Sequence, residues 1–145
     1  MIVGVDHIGL ATTDPLRVGE FLGALGLSRI DGGTADDYGV ACEFWRGPHR
    51  YIGTDIEIVS PARDGSAIDS RLTGQGPGLY HIAFVVDDVR AESRRLRGLG
   101  LSPVDADPCR GARPGMRVAF MYVPRPASFL VELVEYGPSK RENSV

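Results

Sequence analysis

An internal repeat constrains the fold of this chain more than any other feature of the sequence. Residues 7–30 align without a gap onto residues 81–104, at a constant offset of 74 positions. The identical positions include His7/His81, Ile8/Ile82, Asp14/Asp88, Leu22/Leu96, Leu25/Leu99, Gly26/Gly100, Leu27/Leu101 and Ser28/Ser102. The register continues to the end of each half, where residues 56–59 match residues 131–134 at an offset of 75. The chain therefore contains two copies of one module.

The length and composition fit this interpretation. A chain of 145 residues has room for one ordinary domain, or for two half-size modules that share a core. Hydrophobic residues make up 43% and charged residues 24% of the chain, as in globular proteins rather than disordered ones. The formal net charge of -3 predicts no nucleic-acid partner, because binding to phosphates needs a basic surface.

The sequence also gives expectations about location and redox chemistry. No apolar run approaches the roughly 20 residues that cross a bilayer, so we expect no membrane partner. Residues 1–12 lack the basic start of a signal peptide, which makes a cytoplasmic protein the expectation. Cys42 and Cys109 show no CxxC spacing and predict neither a disulfide framework nor a zinc knuckle.

Each module has the same predicted order of elements, β-α-β-β-β. The opening strands are predicted at residues 3–11 and 80–86, from their β-branched and apolar composition. Asp14 with Pro15 predicts the start of the first helix, and Asp87 or Asp88 caps the second; Gly26 and Gly100 end them. The further strands are predicted at residues 27–31, 38–46, 54–59, 101–105, 116–123 and 129–135. The predicted fold class is α+β, with two tandem modules that form a curved mixed sheet.

The expected domain boundaries follow the repeat. Residues 1–61 and 79–137 form the two modules, residues 62–78 a glycine-rich linker with a helical turn around residues 67–72, and residues 138–145 a polar tail. The expected core faces of the two helices are Leu16, Phe21, Leu22 and Leu25 in the first, and Val89, Leu96 and Leu99 in the second. Arg90, Arg94, Arg95 and Arg97 form a basic cluster that we interpret as a solvated helix face.

Four residues that recur in the repeat are the candidates for a functional site. His7 and His81 occupy equivalent places in the opening strands, and Glu57 and Glu132 occupy equivalent places in the closing strands. A single histidine in an apolar strand is more often a hydrogen-bonded core residue, and a single glutamate in a strand could simply face solvent. Two imidazoles and two carboxylates in register are the ligands that divalent Fe, Co, Ni, Zn or Mn prefer. We therefore predict one divalent metal site, with two open positions for adjacent substrate oxygens.

The doubled module resembles the vicinal oxygen chelate (glyoxalase/bleomycin resistance/dioxygenase) superfamily. The segments that carry the resemblance are DHIGLATTD, IEIVSP, GPGLYHIAFVVDDV and RVAFMYVPRPASFLVELVE, which together extend over nearly the whole chain. The segment GQGPGLYHIAFVVDD and residues 110–135 are similar to the methylmalonyl-CoA epimerase branch. The resemblance implies metal ligands at His7, Glu57, His81 and Glu132.

The resemblance also implies a reaction. Epimerases of this branch remove an acidic proton next to a thioester on one face and return it on the other, with two bases beside the carbon. The positions that match these bases are Glu132 and Asp37, although Asp37 stands where the family has the longer Glu. Glu43 is the fallback for the second base. The substrate would be a small molecule, such as an acyl-CoA.

Three features depart from that branch. Glu57 stands where the epimerase often has Gln, and a second Glu is also what glyoxalase I enzymes use. The connection at residues 46–51 is longer than the epimerase turn, and its His49 is not expected to be a ligand because it has no counterpart in the repeat. Tyr80 replaces a His before the ligand His81. Both the connection and Tyr80 could reshape the substrate pocket.

Other functions remain open at this point. A glyoxalase-type lyase fits the set of two His and two Glu, whereas an extradiol dioxygenase would use three protein ligands. A metal-free binding protein of the resistance type is disfavoured by the retention of all four ligands. We also expect a homodimer, because unpaired edges and apolar surface of such modules favour association.

Overall fold

The computed structural model describes residues 1–48 and 53–138. Residues 49–51 of the long connection discussed above, with His49, and the polar tail after Pro138 lie outside the described residues. The chain folds into two compact units. The first unit is His7–Tyr80, and the second unit is Met1–Asp6 together with His81–Val145. The module boundaries that the repeat predicts stay predictions. The homodimer also stays a prediction.

The first unit is a mixed sheet with strand order β2-β3-β4-β1. Strand β3 is antiparallel to β2 and β4, whereas β1 is parallel to β4. Its elements are β1 (Ile2–Ala11), which belongs to this unit from His7 onward, α1 (Pro15–Ala24), β2 (Ser28–Ala35), β3 (Val40–Arg46), β4 (Asp55–Pro61) and α2 (Asp69–Gln75).

The second unit repeats this arrangement, with strand order β5-β9-β8-β6. Strand β9 is parallel to β5, and β8 is antiparallel to β9, to β6 and to a short strand β7. Its elements are β5 (Gly78–Val86), α3 (Val89–Gly98), β6 (Ser102–Pro103), β7 (Cys109–Arg110), β8 (Met116–Val123) and β9 (Phe129–Tyr136). The predicted α+β class is confirmed. The predicted strand at 101–105 shortens to two residues because Pro103 has no N–H to extend the ladder.

The helix starts follow the predicted caps. The Asp14 carboxylate accepts a hydrogen bond from the Arg17 N–H at 3.1 Å, and Asp88, not Asp87, accepts one from the Ala91 N–H at 2.9 Å. Gly26 and Gly100 follow the two helices with φ of 94° and 100°, a conformation that favours glycine and ends a helix.

The predicted core face of α1 is wrong at three of its four positions. Leu22 is buried, but Leu16, Phe21 and Leu25 are 78%, 56% and 75% exposed. The helix instead approaches the sheet through Gly19, where a Cβ atom would lie 2.9 Å from Cζ2 of Trp45. The indole of Trp45 thus fills the space under the helix.

The core face of α3 also differs from the prediction. Val89 and Leu96 are buried as expected, but Leu99 is 68% exposed, and Glu92 is buried between the two apolar positions. Both carboxylate oxygens of Glu92 accept hydrogen bonds from Arg95, which lowers the pKa of Glu92 although burial opposes this. A paired carboxylate therefore takes a position that periodicity assigns to an apolar side chain.

No helix in the described ranges is long and apolar enough to cross a membrane.

A pair of glycine substitutions tests the packing of α1. Gly19→Ala should be less stable than Gly23→Ala by about 1–3 kcal/mol, the usual cost of overpacking, because only Gly19 contacts Trp45. A Cβ atom added at Gly23 would meet open space, so its replacement should raise stability by up to about 1 kcal/mol through helix propensity. Urea unfolding of both variants measures the difference, and equal stabilities would contradict the packing described here.

Candidate metal centre

In the first unit, the parallel ladder between β1 and β4 brings an imidazole and a carboxylate together. Gly9 pairs with Glu57, so Glu57 lies beside the residue that follows His7 by two positions. Alternate residues of a strand share a face, and both side chains therefore point to the same side of the sheet. Nε2 of His7 lies 3.4 Å from Oε1 of Glu57.

The second unit repeats this geometry between β5 and β9. Ala83, two positions after His81, pairs with Glu132. Nε2 of His81 lies 2.8 Å from Oε2 of Glu132. All four residues are buried, at 5% exposure or less. Each unit thus buries one imidazole–carboxylate pair at the positions that the repeat predicts.

A phenylalanine lies against each imidazole. Phe44 pairs with Glu57 across β3 and β4, and its ring meets the ring of His7 edge-on at 5.4 Å. Phe120 pairs with Glu132 across β8 and β9 and meets His81 in the same way at 5.2 Å. The rings wall the two pairs and fix the imidazole planes. Phe44 and Phe120 repeat at an offset of 76, but they were not predicted as neighbours of the histidines from the sequence.

The opposite face of the second unit is its core. Val131 and Leu133, on either side of Glu132, pack with Met121, Val89 and Leu96. The alternation along β9 therefore separates two environments, a helix-covered apolar face and a face with the His81–Glu132 pair. This explains how a strand of such apolar composition holds a buried glutamate.

The distances within each pair fit two ligands of one ion. Ligand atoms about 2.1 Å from a metal and separated by 90–109° lie roughly 3.0–3.4 Å from each other. The separations of 3.4 Å and 2.8 Å are close to this range. A buried carboxylate is costly without compensating positive charge, which a divalent cation supplies. The donor set present in each unit fits a divalent metal ion.

The two candidates for the second base lie in different places. Asp37 is exposed in the turn between β2 and β3, and its role stays a prediction. Glu43 is adjacent to Phe44 and therefore points to the face that α1 covers, as Trp45 does. Glu43 forms an ion pair with Arg29 at 3.2 Å there. This geometry does not support Glu43 as a base beside Glu57.

A buried polar cluster fixes the strand ends of the second unit. The Tyr136 hydroxyl donates to Asp6 at 2.9 Å and accepts from Arg113 at 3.0 Å. Burial and the Asp6 charge raise the pKa of Tyr136, so the phenol remains protonated. Asp6 directly precedes the ligand candidate His7. This cluster was not predicted from the sequence, because neither the hydrophobic periodicity nor the internal repeat marks its three residues.

Tyr80 lies within reach of a cation. Its ring centroid is 5.9 Å from the Arg71 guanidinium. Tyr80 stands where the resemblance predicts a His, and its ring lies near an arginine of helix α2.

Comparison with known families identifies the superfamily. A model of the Glyoxalase/Bleomycin resistance protein/Dioxygenase superfamily matches residues 6–120. The chain belongs to this superfamily. Its fold is the vicinal oxygen chelate fold that the resemblance implies.

Solved structures of methylmalonyl-CoA epimerases are similar over nearly the full chain. The epimerase of Mycobacterium tuberculosis is 29% identical, with a TM-score of 0.83, over 97% of this chain and 93% of that one. A Streptomyces coelicolor epimerase variant in complex with 2-nitronate-propionyl-CoA is 27% identical, with a TM-score of 0.81, over 94% and 99% of the two chains. YqjC, an uncharacterised protein of Bacillus subtilis, is 27% identical over 132 residues, which are 90% of this chain and 91% of YqjC.

The phenylalanine wall can be tested through stability. Phe44 is fully buried, so Phe44→Ala should lower the free energy of unfolding by about 3–5 kcal/mol. Phe21→Ala is the matched control, because Phe21 is 56% exposed on α1 and its loss should cost about 1 kcal/mol or less. Denaturant unfolding of both variants is the measurement. A small effect of Phe44→Ala would mean that the ring does not pack as described.

Proposed function

We propose that this chain is a metal-dependent epimerase that moves the α-proton of an acyl thioester bearing a second carboxylate. The observation that carries the proposal is the repeated buried pair, His7 with Glu57 and His81 with Glu132, at distances that suit metal ligands. The similarity to methylmalonyl-CoA epimerases over nearly the whole chain supports a substrate of the methylmalonyl-CoA type.

The two pairs are proposed to be the four protein ligands of one divalent ion, which would be Co, Ni, Mn, Zn or Fe. Each pair offers one imidazole nitrogen and one carboxylate oxygen, which are donors that these ions accept. The neutral imidazoles offer Nε2, the atom that already faces the carboxylate in each unit. When bound, the ion supplies positive charge that stabilises negative charge developing on the substrate oxygens.

The proton transfers are assigned to carboxylates of this chain. Glu132 is proposed to take up or donate the α-proton on one face of the carbon, because its carboxylate is buried in a wall of apolar residues where water competes little. Asp37 is proposed as the base for the opposite face of the carbon. Its side chain is one methylene shorter than the Glu that epimerases of this branch have at this position.

A glyoxalase-type lyase is the second candidate, and the presence of Glu57 favours it. Two glutamates and two histidines give a ligand set with more negative charge than one that contains Gln. Both reactions begin with removal of a proton next to a carbonyl, so they differ in substrate rather than in the groups that the site offers.

Metal binding tests the ligand set directly. We expect one Co²⁺ per chain in a chelator-competition titration. His81→Ala and Glu132→Gln should weaken binding by about 100-fold or more. Loss of a residue that only supports a ligand already lowers metal affinity by about 10–100-fold, and loss of the ligand itself should cost at least as much. Glu57→Gln should weaken it less, because epimerases of this branch often have Gln at this position. Glu43→Gln, which removes the same charge from the opposite face of the sheet, should leave binding unchanged. Two ions per chain, or equal losses in all four variants, would contradict the proposal.

Isotope exchange tests the reaction. Protein loaded with metal and incubated with methylmalonyl-CoA in deuterated water should incorporate deuterium at the α-carbon, as measured by mass spectrometry. Glu132→Gln should abolish exchange, whereas Asp37→Asn should keep the metal and lose epimerisation, because only one face retains a base.

The outcome also separates the two candidates. Wild-type protein that holds one ion per chain but exchanges no proton is not an epimerase for this substrate. Conversion of the methylglyoxal–glutathione hemithioacetal by the same sample would then support the lyase. Full activity of Asp37→Asn would leave the metal chemistry intact and rule out Asp37 as the second base.

A further inference from the structure

The second unit has a groove of about 440 Å³ between helix α3 and residues 103–108. This volume lies in the range of small-molecule sites in proteins. Three arginines of α3 line it, Arg90, Arg94 and Arg97, spaced four and three residues apart so that they share one face of the helix. The basic cluster noted in the sequence therefore borders a cavity rather than open solvent alone.

The charges around the groove leave two guanidinium groups without counterions. Arg90 forms an ion pair with Asp107 at 2.7 Å. The other acidic residue of the lining, Asp105, accepts a hydrogen bond from the Phe120 N–H at 2.6 Å. Within residues 1–48 and 53–138, neither Arg94 nor Arg97 forms an ion pair or a side-chain hydrogen bond. Guanidinium groups in this state are suited to bind phosphate oxygens in pairs.

A serine adds a further polar atom. Oγ of Ser93 is buried and has no hydrogen-bond partner in the described part of the chain. Ser93 lines the groove between the arginines. A buried hydroxyl that makes no hydrogen bond is unfavourable, and an acceptor on a ligand would satisfy it.

The opposite wall of the groove, residues 103–108, is apolar apart from Asp105 and Asp107. Its apolar residues are Pro103, Val104, Ala106 and Pro108, and Val104 is 60% exposed. An inorganic anion alone would leave this wall uncovered. A ligand with a phosphate group and an apolar body would cover both walls, because its two parts match the two surfaces.

The first unit shows that the fold does not require these residues. At the offset of 74, Ser93 corresponds to Gly19, and Arg94 and Arg97 correspond to Glu20 and Gly23. The Trp45 ring packs against Gly19 and fills the space under that helix. The repeat thus preserves the metal-ligand candidates in both halves, whereas the basic groove residues occur in the second half only.

The sheet separates this groove from the His81–Glu132 pair of the same unit. Helix α3 packs on the face formed by Val131 and Leu133, and Glu132 points to the other face. A molecule in the groove therefore contacts neither member of the pair.

We propose that this groove is a second binding site, for a small molecule that carries a phosphate ester on an apolar body. Arg94 and Arg97 bind the phosphate, Ser93 donates a hydrogen bond to it, and Pro103, Val104 and Pro108 contact the apolar body. The proposal does not rest on the epimerase activity, since the groove contains none of the residues assigned to that reaction.

Phenyl phosphate is a suitable probe, because it combines both parts in a molecule small enough for the groove. Its binding can be followed by amide chemical shifts in an NMR titration, with and without EDTA. We expect saturable shifts on α3 and residues 103–108 that EDTA does not change, and binding at least about tenfold tighter than that of inorganic phosphate or phenol.

Charge-matched variants identify the contacts. Arg94→Gln with Arg97→Gln should weaken binding by about tenfold or more, because two charge-assisted contacts are lost. Arg110→Gln with Arg117→Gln removes the same charge from exposed positions outside the groove and should leave affinity unchanged. Ser93→Ala should weaken binding by about threefold or more without lowering the melting temperature, because the hydroxyl makes no hydrogen bond to any described residue.

Several results would overturn the proposal. The first is an absence of saturable binding at millimolar phenyl phosphate. Equal losses in the two arginine double variants would show a general charge effect instead of a site. Binding that EDTA abolishes, with shifts on β5 and β9, would place the phosphate at the metal centre. Equal affinity for inorganic phosphate would remove the role of the proline wall.

Discussion

The parallel pairing of the first and last strands in each half is the constraint on which the rest of the structure depends. Parallel strands cannot be joined by a tight hairpin, so the chain must form a helix and two further strands before it returns to the opening strand. The return fixes the register, with Glu57 beside Gly9 and Glu132 beside Ala83. A shift of one residue would turn both glutamates toward the helix-covered face, where their charges would be buried in the core. Correct pairing of these ladders is therefore also the step that assembles each imidazole–carboxylate pair.

Strand alternation then divides each unit into two surfaces with different demands. On the helix side, packing decides which residues are accepted, as shown by Trp45 against Gly19 and by Leu96 and Val89 against Leu133. On the other side, burial of a carboxylate must be balanced by charge, which the imidazole and the proposed ion provide. Metal removal should consequently cost the chain little of its packed core, because the apolar contacts lie on the opposite face. This division also explains why Glu43, although acidic and close in sequence to Phe44, is no partner for Glu57.

The sequence predicts the element order, the helix caps and the four ligand candidates, because each of these is marked locally or by the repeat. Asp14 and Asp88 cap helices through contacts three residues away, and the histidines and glutamates recur at nearly constant offsets. It does not predict which face of α1 is buried, since Leu16, Phe21 and Leu25 have the right spacing but a tryptophan from β3 takes their place. The burial of Glu92 is not predicted either. It depends on hydrogen bonds from Arg95, which the spacing of apolar residues does not reveal. The pairing of Phe44 and Phe120 with the imidazoles requires the strand register, which a single sequence leaves undetermined.

The comparison of the two halves separates what the shared fold requires from what one half has acquired. The histidines, glutamates and phenylalanines are equivalent in both halves, as the proposal that the two pairs hold one ion requires. Residues on the helix side are free to differ as long as the space under the helix is filled or open to solvent. The first half fills it with Trp45, whereas the second places Met121 at the corresponding register position and a serine at the position of Gly19. The smaller Met121 side chain stays within the apolar core beneath α3. The space beside α3 is thereby left to a groove bordered by arginines, two of which form no ion pair in the described part of the chain. The proposed ligand would supply negative charge to these two guanidinium groups and a hydrogen-bond acceptor to the Ser93 hydroxyl.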